Sequence, residues 1–247
     1  VLRGALASAG LALAGPARAR AGGDVAAAMK RATRFMLERA SHRGGYVWQA
    51  LPDLSRRWGE LEAFPTMVWV QAPGTPTMGQ LFLDAYRATG DDFYYLAASQ
   101  AAAALVAGQK PEGGWHYFID FGGPASTRRW YRTIGRNAWR LEEVQHDWGN
   151  ATFDDAATSM SAEFLLRYWA EKRDPAVKPA LDRAIGFVLG SQYPNGGWPQ
   201  RWPARNPLRR PGHHDYSSHI TFNDDVIGGN IEFLLNAYRV LGDSRLL

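Results

Sequence analysis

NDDVIGGNIEFLLNAYRVLGD (223–243) decides the fold, because it is the third copy of one pattern. The earlier copies are QAPGTPTMGQLFLDAYRATGD (71–91) and DDAATSMSAEFLLRYWAEKRD (154–174). In the first, Leu81, Leu83 and Tyr86 recur at mixed short steps, and beyond it Phe93, Leu96 and Ala97 do so again. In the third, Phe233, Leu234, Ala237, Tyr238 and Leu241 follow three- and four-residue steps, the period of a helix with one buried face. The strings TGD and LGD then supply a glycine stop and an aspartate able to cap the next helix.

The spacing outside the copies repeats as well. Asp91 to Gly114 is 23 residues, and Asp174 to Gly197 is again 23. Gly45 to Ala72 is 27, as is Gly197 to Asp224, whereas Gly114 to Asp155 is 41. The second unit therefore carries 14 additional residues, within FGGPASTRRWYRTIGRNAWRLEEVQ (121–145). Helix pairs in series, joined by Gly-Gly-aromatic loops, predict an all-α (α/α) toroid, with a stacked solenoid as the alternative. A toroid gathers the loops and the equivalent helix starts at one rim. The third unit reaches only GDSRLL, where its counterpart continues GDDFYYLAASQAAAALVAGQKPEGGW, so the expectation is a toroid over residues 22–247 that is incomplete at its C-terminus.

The first 21 residues read as a partial secretion signal: Arg3, the apolar run GALASAGLALAG, then ARARA with an A-x-A site. That run is too short for a comfortable membrane span, and the expected location is the bacterial periplasm or exterior. The chain has no cysteine, which excludes disulfides and thiolate metal sites. Its 247 residues allow a sizeable core, 10 Trp and 10 Tyr suit either that core or a sugar-binding surface, and a net charge of +4 suits a polyanionic ligand. No long lysine/arginine run is present, which argues against nucleic acid. A monomer without membrane attachment is expected.

At the helix-start position the first unit has Gln71 and Ala72, the second Asp154 and Asp155, and the third Asn223, Asp224 and Asp225. Acids there cap helices and complement the dipole. Two equivalent pairs aimed at one rim also offer the carboxylate and amide oxygens that a hard cation such as Ca²⁺ takes. In the loops, Trp115 and His116 follow one Gly-Gly, and Trp198, Arg201 and Trp202 follow another. The tryptophans either pack under the rim or stack on sugar faces, and arginine forks onto carboxylates. Arg128, Arg129 and Arg132 read as a solvated face bordering a cleft. RRPGHHDYSSHI (209–220) brings His213, His214 and His219 near the acids, although their spacing matches no strong zinc pattern.

ATFDDAATSM, SQYPNGGWPQ and HITFNDD together resemble motifs of the family 10 pectate lyases over roughly residues 150–247. The resemblance implies an (α/α) toroid and a calcium-assisted β-elimination on polygalacturonate. It implies calcium and catalytic-centre roles for Asp154, Asp155 and Asp224, with Asn223 or Asp225 beside them. Trp115, Trp198, Arg201, Trp202 and His219 are, from their own chemistry and place in the loops, the candidate substrate contacts. The catalytic base that the resemblance implies is an arginine C-terminal to Leu247, so no residue here takes that role. Two other readings stand beside it: an inverting or retaining glycoside hydrolase using Asp155 opposite Asp224, and a non-catalytic uronan-binding protein.

Overall fold

The computed structural model describes residues 16–138, 146–205 and 216–246. It divides into two compact units, Val1–Arg39 and Ala40–Leu247. Of the leader expected over 1–21, residues 1–15 lie outside the described residues. The remainder opens helix α1 (Pro16–Phe35), which a π-helical turn, Met36–Ala40, follows. Helix α1 runs through the boundary that the sequence suggested at residue 22. Among the described residues no helix is long and apolar enough to cross a membrane.

The larger unit is helix-rich. It opens with a small antiparallel sheet of β1 (Gln49–Ala50), β2 (Arg57–Trp58) and β3 (Glu62–Ala63), followed by β4 (Met67–Trp69). The first helix pair is α2 (Thr75–Thr89) with α3 (Asp92–Gly108), and β5 (Phe118–Asp120) comes next. Helix α4 (Gly123–Thr133) occupies the 14-residue insertion, and β6 (Ala151–Thr152) leads into the second pair, α5 (Ala157–Lys172) and α6 (Lys178–Ser191). After β7 (Arg201–Trp202) comes α7 (Val226–Leu241), the first helix of the third unit. Helix α2 packs on α3, α5 on α6, and α5 lies between α2 and α7. The expected helix pairs are present, and the short strands are an addition. Two- and three-residue strands have no alternation to read in sequence, because loop pairing creates them, within the first unit for β1–β3 and between successive units for β4–β5 and β6–β7.

One set of contacts recurs in every unit. The carbonyl of the aromatic residue after Gly-Gly accepts the N–H two residues before the helix-start position: Tyr46 from Trp69 at 2.7 Å, Trp115 from Thr152 at 2.8 Å and Trp198 from Thr221 at 3.0 Å. The first glycine of each pair, Gly44, Gly113 or Gly196, has φ of 81°, 113° or 90°, a region open to glycine. The second is fixed by close approach. A Cβ on Gly45, Gly114 or Gly197 would come within 2.6, 2.6 or 2.7 Å of Val68, Ala151 or Ile220, which are themselves equivalent positions. The interhelix aspartates are also alike: Asp91, Asp174 and Asp243 each accept a backbone N–H from the residue two further on, at 2.9–3.0 Å.

Units join through their strands. β4 of the first pairs antiparallel with β5 of the second, Trp69 opposite Phe118, and β6 of the second pairs with β7 of the third, Thr152 opposite Arg201. The insertion helix packs on the first joint. Trp130 is buried against Phe118, at 4.7 Å between ring centroids, and its indole N–H donates to the Glu62 carbonyl at 2.8 Å.

The threonines at the helix starts lock the loops in place. Thr75 Oγ1 accepts from Tyr46 N–H at 3.0 Å, and Thr158 Oγ1 accepts from Trp115 N–H at 3.1 Å. Thr158 also donates to the Thr152 carbonyl at 2.6 Å. Replacing Thr158 by valine keeps the shape and strands two buried backbone groups, at a cost of about 1–3 kcal/mol. A lower melting temperature for T158V is the expected result, and an unchanged one would contradict this role.

Candidate functional site

The acids stand on unusual backbone. Between β6 and α5, Asp155 and Ala156 take φ of 49° and 56°; before α7, Asp224 and Asp225 take 52° and 57°. Two successive non-glycine residues in the left-handed region cost on the order of 1 kcal/mol or more each. The first unit has Ala72 and Pro73 at these positions, and a proline ring holds φ near about −65°. The double turn is thus confined to the two acid-bearing units. Nor do these acids act as helix caps: Asp225 at the N-cap of α7 makes no side-chain cap bond, and Asp155 instead accepts from the Gln71 amide.

Asp154 is fully buried and aimed. Its Oδ2 accepts from the Tyr117 hydroxyl at 2.5 Å and its Oδ1 from Gln200 Nε2 at 3.1 Å. Tyr117 and Gln200 each lie two residues past a Gly-Gly-aromatic, in neighbouring units, so the loop repeat delivers both donors. Sequence reasoning missed both, and that shared offset was the available signal. A cavity of about 580 Å³ opens beside them, with Asp154, Gln200, His219, Thr221, Asn223 and Asp224 among its lining residues. Within it the Asn223 amide donates to Asp224 Oδ2.

The five residues expected to bind metal therefore separate. Asp154, Asn223 and Asp224 share the larger cavity. Asp155 ties the second unit to Gln71, which in turn accepts from the Trp69 indole N–H at 2.9 Å. Asp225 lines a second cavity of about 390 Å³ with Gln80, Glu163 and Glu232. Among the described residues no group of three or more His, Asp or Glu is close enough to hold a metal ion.

The loop residues separate in the same way. Trp115 and Trp198 are buried, and their indole N–H groups each donate at 2.8 Å to a helix carbonyl ten residues earlier, Leu105 in α3 and Val188 in α6. Their rings are thus core rather than a sugar platform, because each is buried with its indole N–H given to the helix that precedes its own loop. Arg201 is also fully buried rather than on an open substrate surface, with its guanidinium carbon 5.2 Å from the Tyr117 ring centroid and 5.5 Å from that of Trp148. Trp202 is half-buried and edge-on to Tyr193, while His219 is exposed at the larger cavity. Arg128, Arg129 and Arg132 are exposed on α4. His213 and His214 lie outside the described residues.

His116 is buried, with its ring edge-on to those of Tyr117 and Phe118 at 5.2 and 5.1 Å. Burial, and then the positive charges of Arg201 and Lys110, hold its pKa well below the usual 6.5. The imidazole is neutral in the fold.

The family model described as pectic acid lyase matches residues 120–245, just over half of the chain. No curated protein matches it. Among solved structures, a family 10 polysaccharide lyase from Cellvibrio cellulosa is 18% identical over 87% of this chain and 66% of its own, with a TM-score of 0.48. An aspartate-to-alanine mutant of such a lyase from the same organism, in complex with trigalacturonic acid, is 19% identical over the same shares, also at 0.48. A sugar epimerase from a ruminal bacterium is 13% identical over 88% of this chain and 51% of its own, with a TM-score of 0.54, a likeness of fold alone. The chain spans less than two thirds of the length of each.

The buried imidazole makes a prediction about acid. Its folded pKa is depressed, so below about pH 6.5 the unfolded chain binds a proton that the folded chain refuses, and stability falls as pH drops. Replacing His116 by leucine is expected to flatten the loss of melting temperature between about pH 7 and 5. An equal loss in wild type and H116L would contradict a neutral buried His116.

Proposed function

Because this chain belongs to the pectic acid lyase family, we propose that it cleaves polygalacturonate by β-elimination at the cavity shared by Asp154, Asn223 and Asp224. The observation that carries this reading is the convergence of two acids from equivalent helix starts on one cavity, Asp154 just before and Asp224 within a left-handed turn that the acid-free first unit lacks. On this reading α2, α5 and α7 are successive inner helices of an (α/α) toroid. Residues 1–21 form an export leader that takes the protein to its polysaccharide.

The donors facing the cavity, two carboxylates and an amide oxygen, are the hard set that Ca²⁺ prefers. Asp154, Asp224 and Asn223 would hold it, with oxygens of the substrate completing the set. Bound calcium supplies electron withdrawal from the substrate's C6 carboxylate, which makes the neighbouring C5 proton more acidic. Asp154 is kept in one orientation by Tyr117 and Gln200, so little reorganisation is needed when substrate arrives. Asp155 contributes by position, fastening the turn to Gln71. In the elimination a base takes the C5 proton, the electron pair of the C5–H bond forms the C4–C5 double bond, and the C4–O bond breaks, with the leaving oxygen protonated to a hydroxyl. Asp154, with both oxygens engaged by neutral donors, is not the base. The exposed His219 and the net positive charge of the chain favour approach of the polyanion.

The test, made on the full-length protein because the resemblance places the base C-terminal to Leu247, is ultraviolet absorbance of unsaturated product as a function of calcium concentration. Asp154→Ala and Asp224→Ala are expected to lower the calcium-dependent rate on the order of 100-fold. Asp91→Ala removes only a helix cap and is expected to cost about 0.5–2 kcal/mol of stability with the rate retained. New reducing ends without ultraviolet absorbance would contradict a lyase and favour hydrolysis. Wild-type calcium dependence in both acid variants would contradict the site.

A further inference from the structure

Surface cations of the larger unit commonly meet a carboxylate. Arg56 forks onto Glu62 at 2.8 and 2.7 Å, and Arg205, past β7, meets Glu112 at 3.0 Å. One face departs from this habit. Among the described residues no carboxylate pairs with Arg43, Arg57 or Arg129. All three lean on one short stretch. The Arg129 guanidinium carbon is 4.8 Å from the Phe64 ring centroid, and Arg57 donates to the Pro65 carbonyl at 3.4 Å. Arg43 lies 5.4 Å from the Phe121 ring centroid, and the Phe121 N–H donates to the Thr66 carbonyl at 2.9 Å. The His42 ring joins them, 5.8 Å from that of Phe121.

The protein does little to balance this charge. Asp120, the carboxylate beside it, already accepts from Thr66 Oγ1 at 2.7 Å, the Gly122 N–H at 2.9 Å and Thr127 Oγ1 at 3.4 Å. Burial, then Arg57 and then Arg43 lower the His42 pKa, against a smaller opposing effect of Asp120. Burial also lowers the pKa of Arg57, whose Nε and Nη2 have no hydrogen-bond partner. Helix α4 contains no acid, and its Arg128 and Arg132 stand four residues apart, a like-charge spacing that weakens a helix. Arg43 takes a φ of 49°, which its repeat equivalents Glu112 and Asn195 avoid. Desolvated and crowded cations cost stability, and an arriving anion offsets both costs.

We propose that His42, Arg43, Arg57 and Arg129 form a second binding surface, apart from the cavity, for a chain of carboxylate-bearing sugars. Guanidinium forks match carboxylates in shape and charge. A single-stranded nucleic acid fits less well, because it binds by stacking bases on aromatic faces, and Phe64 and Phe121 already carry guanidiniums. Strand β5 ties this surface to the cavity. Tyr117, just before the strand, holds Asp154, and Phe121, just after it, seats Arg43 and His42. Four residues of extended chain span about 13 Å, so a polymer that engages both places gains affinity from the linkage. The identity of the polymer rests on the polygalacturonate reading, whereas the surface is tested by binding and the lyase chemistry by ultraviolet absorbance.

The experiment measures polygalacturonate affinity at low ionic strength with calcium chelated, so that neither the cavity nor cleavage contributes. Arg43→Glu with Arg129→Glu is expected to weaken binding by about tenfold or more. Arg129→Glu with Arg132→Glu, both on α4, is expected to do the same and leaves the left-handed turn at Arg43 untouched. Asp224→Ala is expected to bind as the unaltered protein does. So is Arg173→Glu with Arg183→Glu, an equal change of net charge at exposed positions elsewhere, to within about twofold. Unchanged affinity in both α4-side variants would overturn the proposal, and so would an equal loss in the Arg173 and Arg183 control, which would mean attraction by net charge alone. A single-stranded oligonucleotide that displaces polygalacturonate would also overturn it, making nucleic acid the occupant. Binding that follows these expectations in a protein that releases no unsaturated product would uphold the surface and contradict the lyase reading.

Discussion

Everything in the larger unit depends on one backbone bond made three times, from the strand before a helix start to the carbonyl of the aromatic residue after Gly-Gly. It can form only if the loop backbone comes within van der Waals distance of that strand, and the second glycine of each pair admits the approach. With the bond in place, the aromatic ring turns inward. In the second and third units it is a tryptophan whose indole N–H reaches back ten residues to the helix before its loop. A single motif therefore fastens a loop both to a helix start and to the helix that precedes it.

The same bond sets the site. Because the loop is held against the strand, the residue two places past the aromatic faces the helix start, which is how Tyr117 and Gln200 both reach Asp154. Strand pairing carries the effect across units, since Tyr117 belongs to the second loop and Gln200 to the third. A buried carboxylate gripped by two neutral donors is a fixed acceptor, whereas Asp224, exposed on a left-handed turn, lines the same cavity.

The repeat was legible in the sequence because 23- and 27-residue intervals survive wherever equivalent contacts must be made. Asp91, Asp174 and Asp243 were legible as caps for the same reason. Other features were not. The left-handed turns at Asp155–Ala156 and Asp224–Asp225 are imposed by packing, since neither pair contains the glycine that announces such a turn. Trp198 in a glycine-rich loop suits a sugar platform or a core equally well until its hydrogen-bond partner, ten residues back in a helix, is known. Arg201 misleads further, because a buried guanidinium close to two aromatic rings looks in sequence like any cation aimed at a ligand. The separation of Asp155 and Asp225 from the shared cavity follows from turn geometry that spacing along the chain does not encode.

The central claim is that the cavity between Asp154 and Asp224 holds calcium together with the carboxylate of the substrate. Titration calorimetry of calcium, with and without saturating trigalacturonate, tests it most directly. Two ligands sharing one coordination sphere must raise each other's affinity by the same factor. The account predicts tighter calcium binding in the presence of trigalacturonate and loss of that coupling in Asp224→Ala. Calcium affinity that is indifferent to trigalacturonate in the unaltered protein would contradict it.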